Sequence, residues 1–498
     1  RSQRLGSYRF IRRDQLMRII GNNPAADNAE ITAVASGTMA NGNTVIVNAD
    51  GTVSVVAATS ASTGSEAVYE TAEVGFNTAV FDSSNNKVII VYRTNTPLMK
   101  YVVGTVSGSS ISFSSPATAM SSDNQQLASV FDSANNRIVV VFRNGNDSSH
   151  GYAIVGSLSG TTVSWGSATE FSNNIVAEMG VAFDSTANKV VISYRNYGNS
   201  SYGTSVIGTI SGTSISFGSP VVFQSYATNH ISTTFDSNSN KVVISYRDNS
   251  SLGYGEAVVG TVSGTGISFG SPTVFSTQTT GGISETATAF DSNANKVVVA
   301  WQDGTDGNKG AAVVGSVSGT NISFGGKVFF ELGSTTYIEA VFNTSANKIV
   351  IAYRDTSNSS YGTIVSGAVS GTSITFETPT VFNAGSSGYI GMCFDSNANK
   401  SVVAYTDAGN GGDGTAITFT SSSTNITAEN FIGFANGAAS DTGTARVQIG
   451  SGINTAQSSL TAGQQYFVQG DGTLGLTAAA PSVIAGTAIS ATEIIVKG

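Results

Sequence analysis

Side chains able to do acid–base or nucleophilic chemistry are few in this 498-residue chain. It has two histidines, His150 and His230, and one cysteine, Cys393. No GxSxG, HExxH, phosphate loop or metal-spaced His/Cys cluster occurs. Cys393 stands beside Phe394 in a β-rich run, where it reads as a buried, inert thiol, and a single cysteine excludes an intrachain disulfide framework. Glu178 and Glu285 occupy equivalent places in two copies of an internal repeat and could form a glycosidase pair. Positions two repeats apart should exceed the ~5–9.5 Å such pairs need, so no catalytic residue is assigned and the chain is read as a non-enzyme. Asp291, Asn293 and Asn295 have the alternate spacing of calcium-loop ligands, as do Asp395, Asn397 and Asn399. The later bidentate acid is missing, which favours an Asx-type turn; no metal and no cofactor is expected. Arg93, Arg143, Arg195, Arg247 and Arg354 recur at one repeat position. They could line an anion site, but recurrence favours a structural pair with a repeated acid such as the Asp beside the repeated Phe.

Binding chemistry is better represented than catalysis. Five residues before each repeated Phe stand Phe76, Gln126, Glu178, His230, Glu285, Tyr337 and Tyr389, with Tyr152, Tyr202, Tyr254 and Tyr361 in neighbouring loops. Rings that stack and groups that hydrogen-bond suit sugars or protein surfaces; ordinary solvated loops are the alternative. The candidate ligand-binding set is Tyr202, His230, Glu285, Tyr337, Tyr361 and Tyr389.

The elements that must position these residues are repeats. Phe81, Phe131, Phe183, Phe235, Phe290, Phe342 and Phe394 are spaced by 50, 52, 52, 55, 52 and 52 residues, and an all-β period near fifty points to a propeller. The copy from His230 to Phe275 divides into runs 231–235, 241–247, 257–262 and 266–275, four strands of one blade. The turn after each Phe-Asp barely varies (DSNANK and relatives), and Ser-Gly recurs between third and fourth runs in six copies. The loops from second to third strand and from fourth to first differ in nearly every copy. Alternate turns of an antiparallel sheet fall on opposite faces, so one face is scaffold and the other variable. The expected fold is all-β: a seven-bladed β-propeller over 61–424, a basic docking segment 1–22, a β-linker 23–60 and a C-terminal β-module 425–498. Residues 52–57, preceded by an Asp50-Gly51 hairpin turn, are the favoured closing strand of the last blade, with 425–428 as the alternative.

Composition agrees: 11% of residues are charged and Gly numbers 57, as many strands and tight turns require. Residues 1–20 hold six Arg and one Asp, so of the net −9 the remainder carries −14. An acidic body is not expected to bind nucleic acid. No apolar run approaches the ~20 residues that span a bilayer. Residues 8–20, basic with Phe10, Met17 and Ile20 on one side, suit a docking helix or a partly ordered tail.

The segments ENFIGFA, SLTAGQQYFVQGDGTL and PSVIAGTAISATEIIVKG near the C-terminus, with the upstream NADGTVSVVA, resemble virion structural proteins of marine tailed bacteriophages, particularly cyanophages. The resemblance covers roughly 90 residues, and the propeller more loosely. It implies a virion surface part, a tail fibre or head decoration, with other virion proteins as partners and extracellular exposure. It transfers no catalytic residues. The resulting expectation is a non-enzymatic, homo-oligomeric virion protein whose propeller faces host glycan or protein. A purely architectural subunit, or a secreted bacterial adhesin or glycosidase-like propeller, are the alternatives.

Overall fold

The computed structural model of the protein describes residues 29–497 apart from 97, 251, 278–280 and 479–480. The basic segment 8–20 lies outside the described residues. The chain divides into two units, one spanning Ala61–Ser421 and one assembled from the two flanks, Arg1–Ser60 and Ser422–Gly498.

The larger unit is all-β and propeller-like. In its third repeat, Lys189–Asn196 pairs with Tyr202–Ser211, which folds back on the short Ser214–Phe217. Both faces of such a sheet are covered, and Val190 to Tyr194 are all buried, so the second strands are continuous apolar runs rather than alternating ones. The expected separation of fourth and first strands is not what forms. Val221–Asp236 is one continuous 16-residue strand. Its first half pairs with Tyr202–Ser211 and its second half with Lys241–Asp248. Ala67–Asp82, Thr169–Asp184, Val328–Asn343 and Thr380–Asp395 do the same, while the second and fifth repeats break the strand in two, as Ala117–Met120 with Asn124–Asp132 and Thr273–Ser276 with Ile283–Asp291.

An aromatic residue fastens each such strand. A Cβ on Gly203 would lie 2.4 Å from the Phe223 ring, and that ring meets Tyr246 of the next repeat at 5.2 Å between centroids. The same arrangement joins Phe171 to Gly151 and Tyr194, Phe275 to Gly255 and Trp301, and Phe330 to Gly310 and Tyr353. Glycine is required there because the ring takes the space of a side chain.

The repeated Phe-Asp turn is an Asx turn. Asp236 Oδ1 accepts the backbone N–H groups of Asn238 and Ser239, both at 2.9 Å, and Asn240 closes the turn in the left-handed region at φ 55°, which Asn tolerates. This corrects the expected pairing of the repeated arginines. The Asp side chains are consumed by their own turns, and the arginines point elsewhere. Arg93 pairs with Asp123 at 2.8 Å, and Arg354 donates to Ser360 Oγ at 2.9 Å.

The expected closing strand is also corrected. Val53–Val55 pairs with Thr44–Val47 across the Asp50-Gly51 turn, because that turn commits both arms to one hairpin. Asp413–Thr420, the third strand of the seventh repeat, pairs instead with Ser62–Thr63 and with the start of Ala67–Asp82.

In the smaller unit the two flanks form common sheets, not a separate linker and module. Glu30–Val34 pairs with Thr444–Gln448, and Thr44–Val47 with Phe431–Ala435. Ile46, Phe434, Val468, Ile494 and Val496 share one core. Among the described residues no helix is long and apolar enough to cross a membrane.

Candidate recognition site

Each of the seven first strands carries a β-bulge at the position singled out in the sequence. In the fourth repeat Asn229 faces Arg247 and Ser232 faces Ser245, so His230 and Ile231 together oppose Tyr246 alone. The first bulge residue is left-handed in every repeat: Phe76 (φ 54°), Gln126 (51°), Glu178 (54°), His230 (50°), Glu285 (56°), Tyr337 (52°) and Tyr389 (45°). This conformation costs a non-glycine residue about 1–2 kcal/mol, and glycine is its usual occupant in such bulges. None of the seven is glycine. The bulges lie where the second strand ends, on the same side as the variable second-to-third loops.

These residues connect from repeat to repeat. The Glu178 N–H donates to Gln126 Oε1 at 3.2 Å, that of His230 to Glu178 Oε2 at 3.1 Å, and that of Tyr337 to Glu285 Oε2 at 3.1 Å. The Thr286 hydroxyl donates to the His230 carbonyl. Tyr337 and Tyr389 rings lie 5.3 Å apart and Tyr389 and Phe76 rings 5.0 Å apart. Three aromatics are therefore contiguous, and Gln126, Glu178, His230 and Glu285 supply polar groups. The residues just after the bulges, from all seven first strands, line one cavity of about 260 Å³, among them Thr78, Ser129, Thr233 and Glu339. Gly391 permits the approach of the seventh strand to the first, where a Cβ would meet the Asn77 carbonyl oxygen at 2.6 Å.

Electrostatics follow from this crowding. Desolvation holds the His230 imidazole below its ordinary value; Glu178 opposes that shift, and Arg247 and Arg195 reinforce it. Glu285 is raised by burial and by Glu178, against the bond from Tyr337. Glu339 is exposed on the lining of the cavity. Desolvation by the walls, then Glu285, pushes its carboxyl up to about 8. The Nε atoms of Arg143, Arg195, Arg247 and Arg354 are buried without a hydrogen-bond partner.

Of the expected residues, the structure places His230, Glu285, Tyr337 and Tyr389 at equivalent bulges and brings the last three into contact. Tyr202 and Tyr361 open third strands, paired with Asn196 and Asp355, and among the described residues neither ring stacks on the bulge aromatics. Sequence reasoning passed over Glu339, which stands three residues before Phe342; a carboxylate in an otherwise apolar inner strand was its available signal. It also passed over a second cavity, of about 320 Å³, bordered by Glu170, Asn174, Tyr194, Asn196 and Pro220, into whose lining the buried, unpartnered Oδ1 of Asn196 falls.

No protein-family model matches the chain, and no curated protein matches it in sequence. Solved structures do. The BP39L lectin from Burkholderia pseudomallei is similar with a TM-score of 0.52 at 12% identity, over 72% of this chain and 99% of that one. A protein of unknown function from Dyadobacter fermentans gives 0.43 at 12% identity, over 72% and 98%, and AofleA from Arthrobotrys oligospora gives 0.40 at 9%, over 65% and 92%. The likeness to the first of these shows a β-propeller-like fold for the repeat region.

Proposed function

We propose that residues 61–421 close into a ring of seven blades that binds carbohydrate, without catalysis, at the mouth of its central cavity. The observation that carries this reading is the set of seven left-handed bulge residues. Glycine would relieve the strain at each, yet the chain holds three contiguous aromatics and four polar side chains there. Backbone strain kept at one place is a mark of function. An aromatic arc offers a face for the C–H surface of a sugar ring, while Gln126, Glu178 and His230 suit hydroxyl groups. Ring closure is supported by the pairing of Asp413–Thr420 with residues 62–73 and by the Tyr389–Phe76 contact. The Burkholderia pseudomallei protein of the same fold is a lectin, a precedent for this use of the scaffold.

In the setting implied by the C-terminal resemblance, the protein is a homo-oligomeric virion surface component, held among other virion proteins and displaying the bulge-bearing face to a host glycan. The test is a glycan array probed with the full chain. Binding to a defined glycan subset supports the reading. Absence of binding across glycans prepared from the host surface contradicts it and favours an architectural subunit.

A further inference from the structure

A second group of side chains, away from the cavity mouth, has the donor set of a metal site. Asp147, His150 and Glu170 bring one ligand atom each to within 4.8 Å of one another. His150 Nδ1 lies 2.9 Å from Glu170 Oε1 and 3.9 Å from Asp147 Oδ2. Ligand atoms sharing a metal at bonds of about 2.0–2.2 Å stand roughly 3 Å or a little more apart, so little movement separates this arrangement from coordination. Asp147 Oδ2 also accepts from the Tyr152 hydroxyl. An outer partner of this kind fixes a ligating carboxylate.

The repeats themselves supply an independent comparison. The loop of the second repeat has the same backbone as that of the sixth: Ser148 and Ser149 have φ of 50° and 64°, and Ser359 and Ser360 have 54° and 63°. The His150 N–H bonds to the Asp147 carbonyl as the Tyr361 N–H bonds to that of Asn358. Strand pairing makes Glu170, opposite Tyr152, the counterpart of Val381, opposite Thr363. At the same three positions the sixth repeat has Asn358, Tyr361 and Val381, and the third has Asn199, Tyr202 and Val222. The scaffold therefore needs none of the three ligand-type residues. All three appear together in one repeat, in place of an amide, a phenol and an apolar side chain. Glu170 also borders the cavity of about 320 Å³, which gives open coordination positions access to solvent.

We propose that Asp147, His150 and Glu170 bind a divalent transition-metal ion, with Tyr152 as the outer partner of Asp147. One imidazole and two carboxylates suit Zn²⁺ and its neighbours in the first row, whereas Ca²⁺ and Mg²⁺ take oxygen ligands. The site stands apart from the carbohydrate reading and does not depend on it.

The experiment is a titration of the full chain with Zn²⁺ by calorimetry and with Co²⁺ by visible absorption. One equivalent of Zn²⁺ and visible Co²⁺ bands are expected. The double variant His150→Tyr with Glu170→Val restores the residues of the third and sixth repeats and should lose both signals while keeping its melting temperature. Tyr152→Phe should weaken Zn²⁺ binding by about 10-fold or more. Absence of Co²⁺ bands and Zn²⁺ heat in the unaltered chain overturns the proposal and leaves a His–Glu ion pair. Uptake that persists undiminished in the double variant overturns it as well.

Discussion

Replacing Asp291 tests the turn that builds every repeat, because the sixth repeat already contains the control. Asp291 is 1% exposed and accepts the N–H groups of Asn293 at 2.9 Å and Ala294 at 2.8 Å. Asn343, at the same place one repeat later, accepts from Ser345 at 3.0 Å and Ala346 at 2.9 Å. An amide oxygen therefore does the work of the carboxylate. Asp291→Ala removes the one oxygen, Oδ1, that accepts both bonds. At a net 0.5–1.5 kcal/mol per bond it should cost about 1–3 kcal/mol, or roughly 2–6 °C in a unit of this size. Asp291→Asn keeps both bonds and should stay within about 1 kcal/mol of the parent. The pH dependence carries a second signature. Burial raises the Asp291 carboxyl above 3.8 against the two backbone bonds, so the folded state holds this proton more tightly than the unfolded one. The contribution of that group to stability is present below 3.8 and is lost as pH rises through its raised folded value. Asparagine does not titrate, so the stability of Asp291→Asn relative to the parent should improve from pH 3 to pH 7. Thermal melts followed by circular dichroism at both pH values measure this. An asparagine variant as damaged as the alanine variant, or one that loses ground as pH rises, refutes the account of the turn.

Gly255→Ala should destabilise by about 1–3 kcal/mol through overpacking, since the added methyl meets the Phe275 ring at 2.4 Å; a denaturant titration with an unchanged midpoint contradicts this. Glu339→Gln should become more stable relative to the parent as pH rises from 4.5 through about 8, because the folded carboxyl is pushed up to about 8 and its protonated form is the one the fold favours; parallel melts across that range are the contrary result. Deleting residues 61–73 should abolish the cooperative melt of the repeat unit, because they pair with Asp413–Thr420. Disrupting Val53–Val55 should leave that transition in place, because its partner is Thr44–Val47.

The sequence displayed what repeats locally. The Phe-Asp spacing located the strands, the DSNANK runs announced Asx turns, and the Asp50-Gly51 hairpin formed as its residues demand. The bulges were not readable as bulges. Phe76, His230 and Tyr389 are left-handed residues with no glycine to advertise it, and the reversal of register comes from pairing with the second strand. Their shared position five residues before the Phe was visible, so the repeated position was picked out without its backbone. The alliance of the flanks was equally hidden: Glu30 opposite Gln448 is a partnership across most of the chain, and no local pattern encodes it. Asp50-Gly51 misled for the same reason, since a strong local turn says nothing of which sheet receives the strand after it. At the second cluster, Glu170 meets His150 only because the strand after the hairpin folds back beside it, which no spacing rule for metal ligands anticipates.

The most direct test of the carbohydrate account is the affinity of the full chain for a glycan selected on the array, measured by calorimetry beside Tyr337→Ala with Tyr389→Ala. These rings are 5.3 Å apart at the cavity mouth, and loss of aromatic anchors at a recognition centre costs about 2 kcal/mol or more. The account predicts at least a roughly 30-fold loss of affinity with a folded protein by circular dichroism. Unchanged affinity in the folded double variant contradicts it.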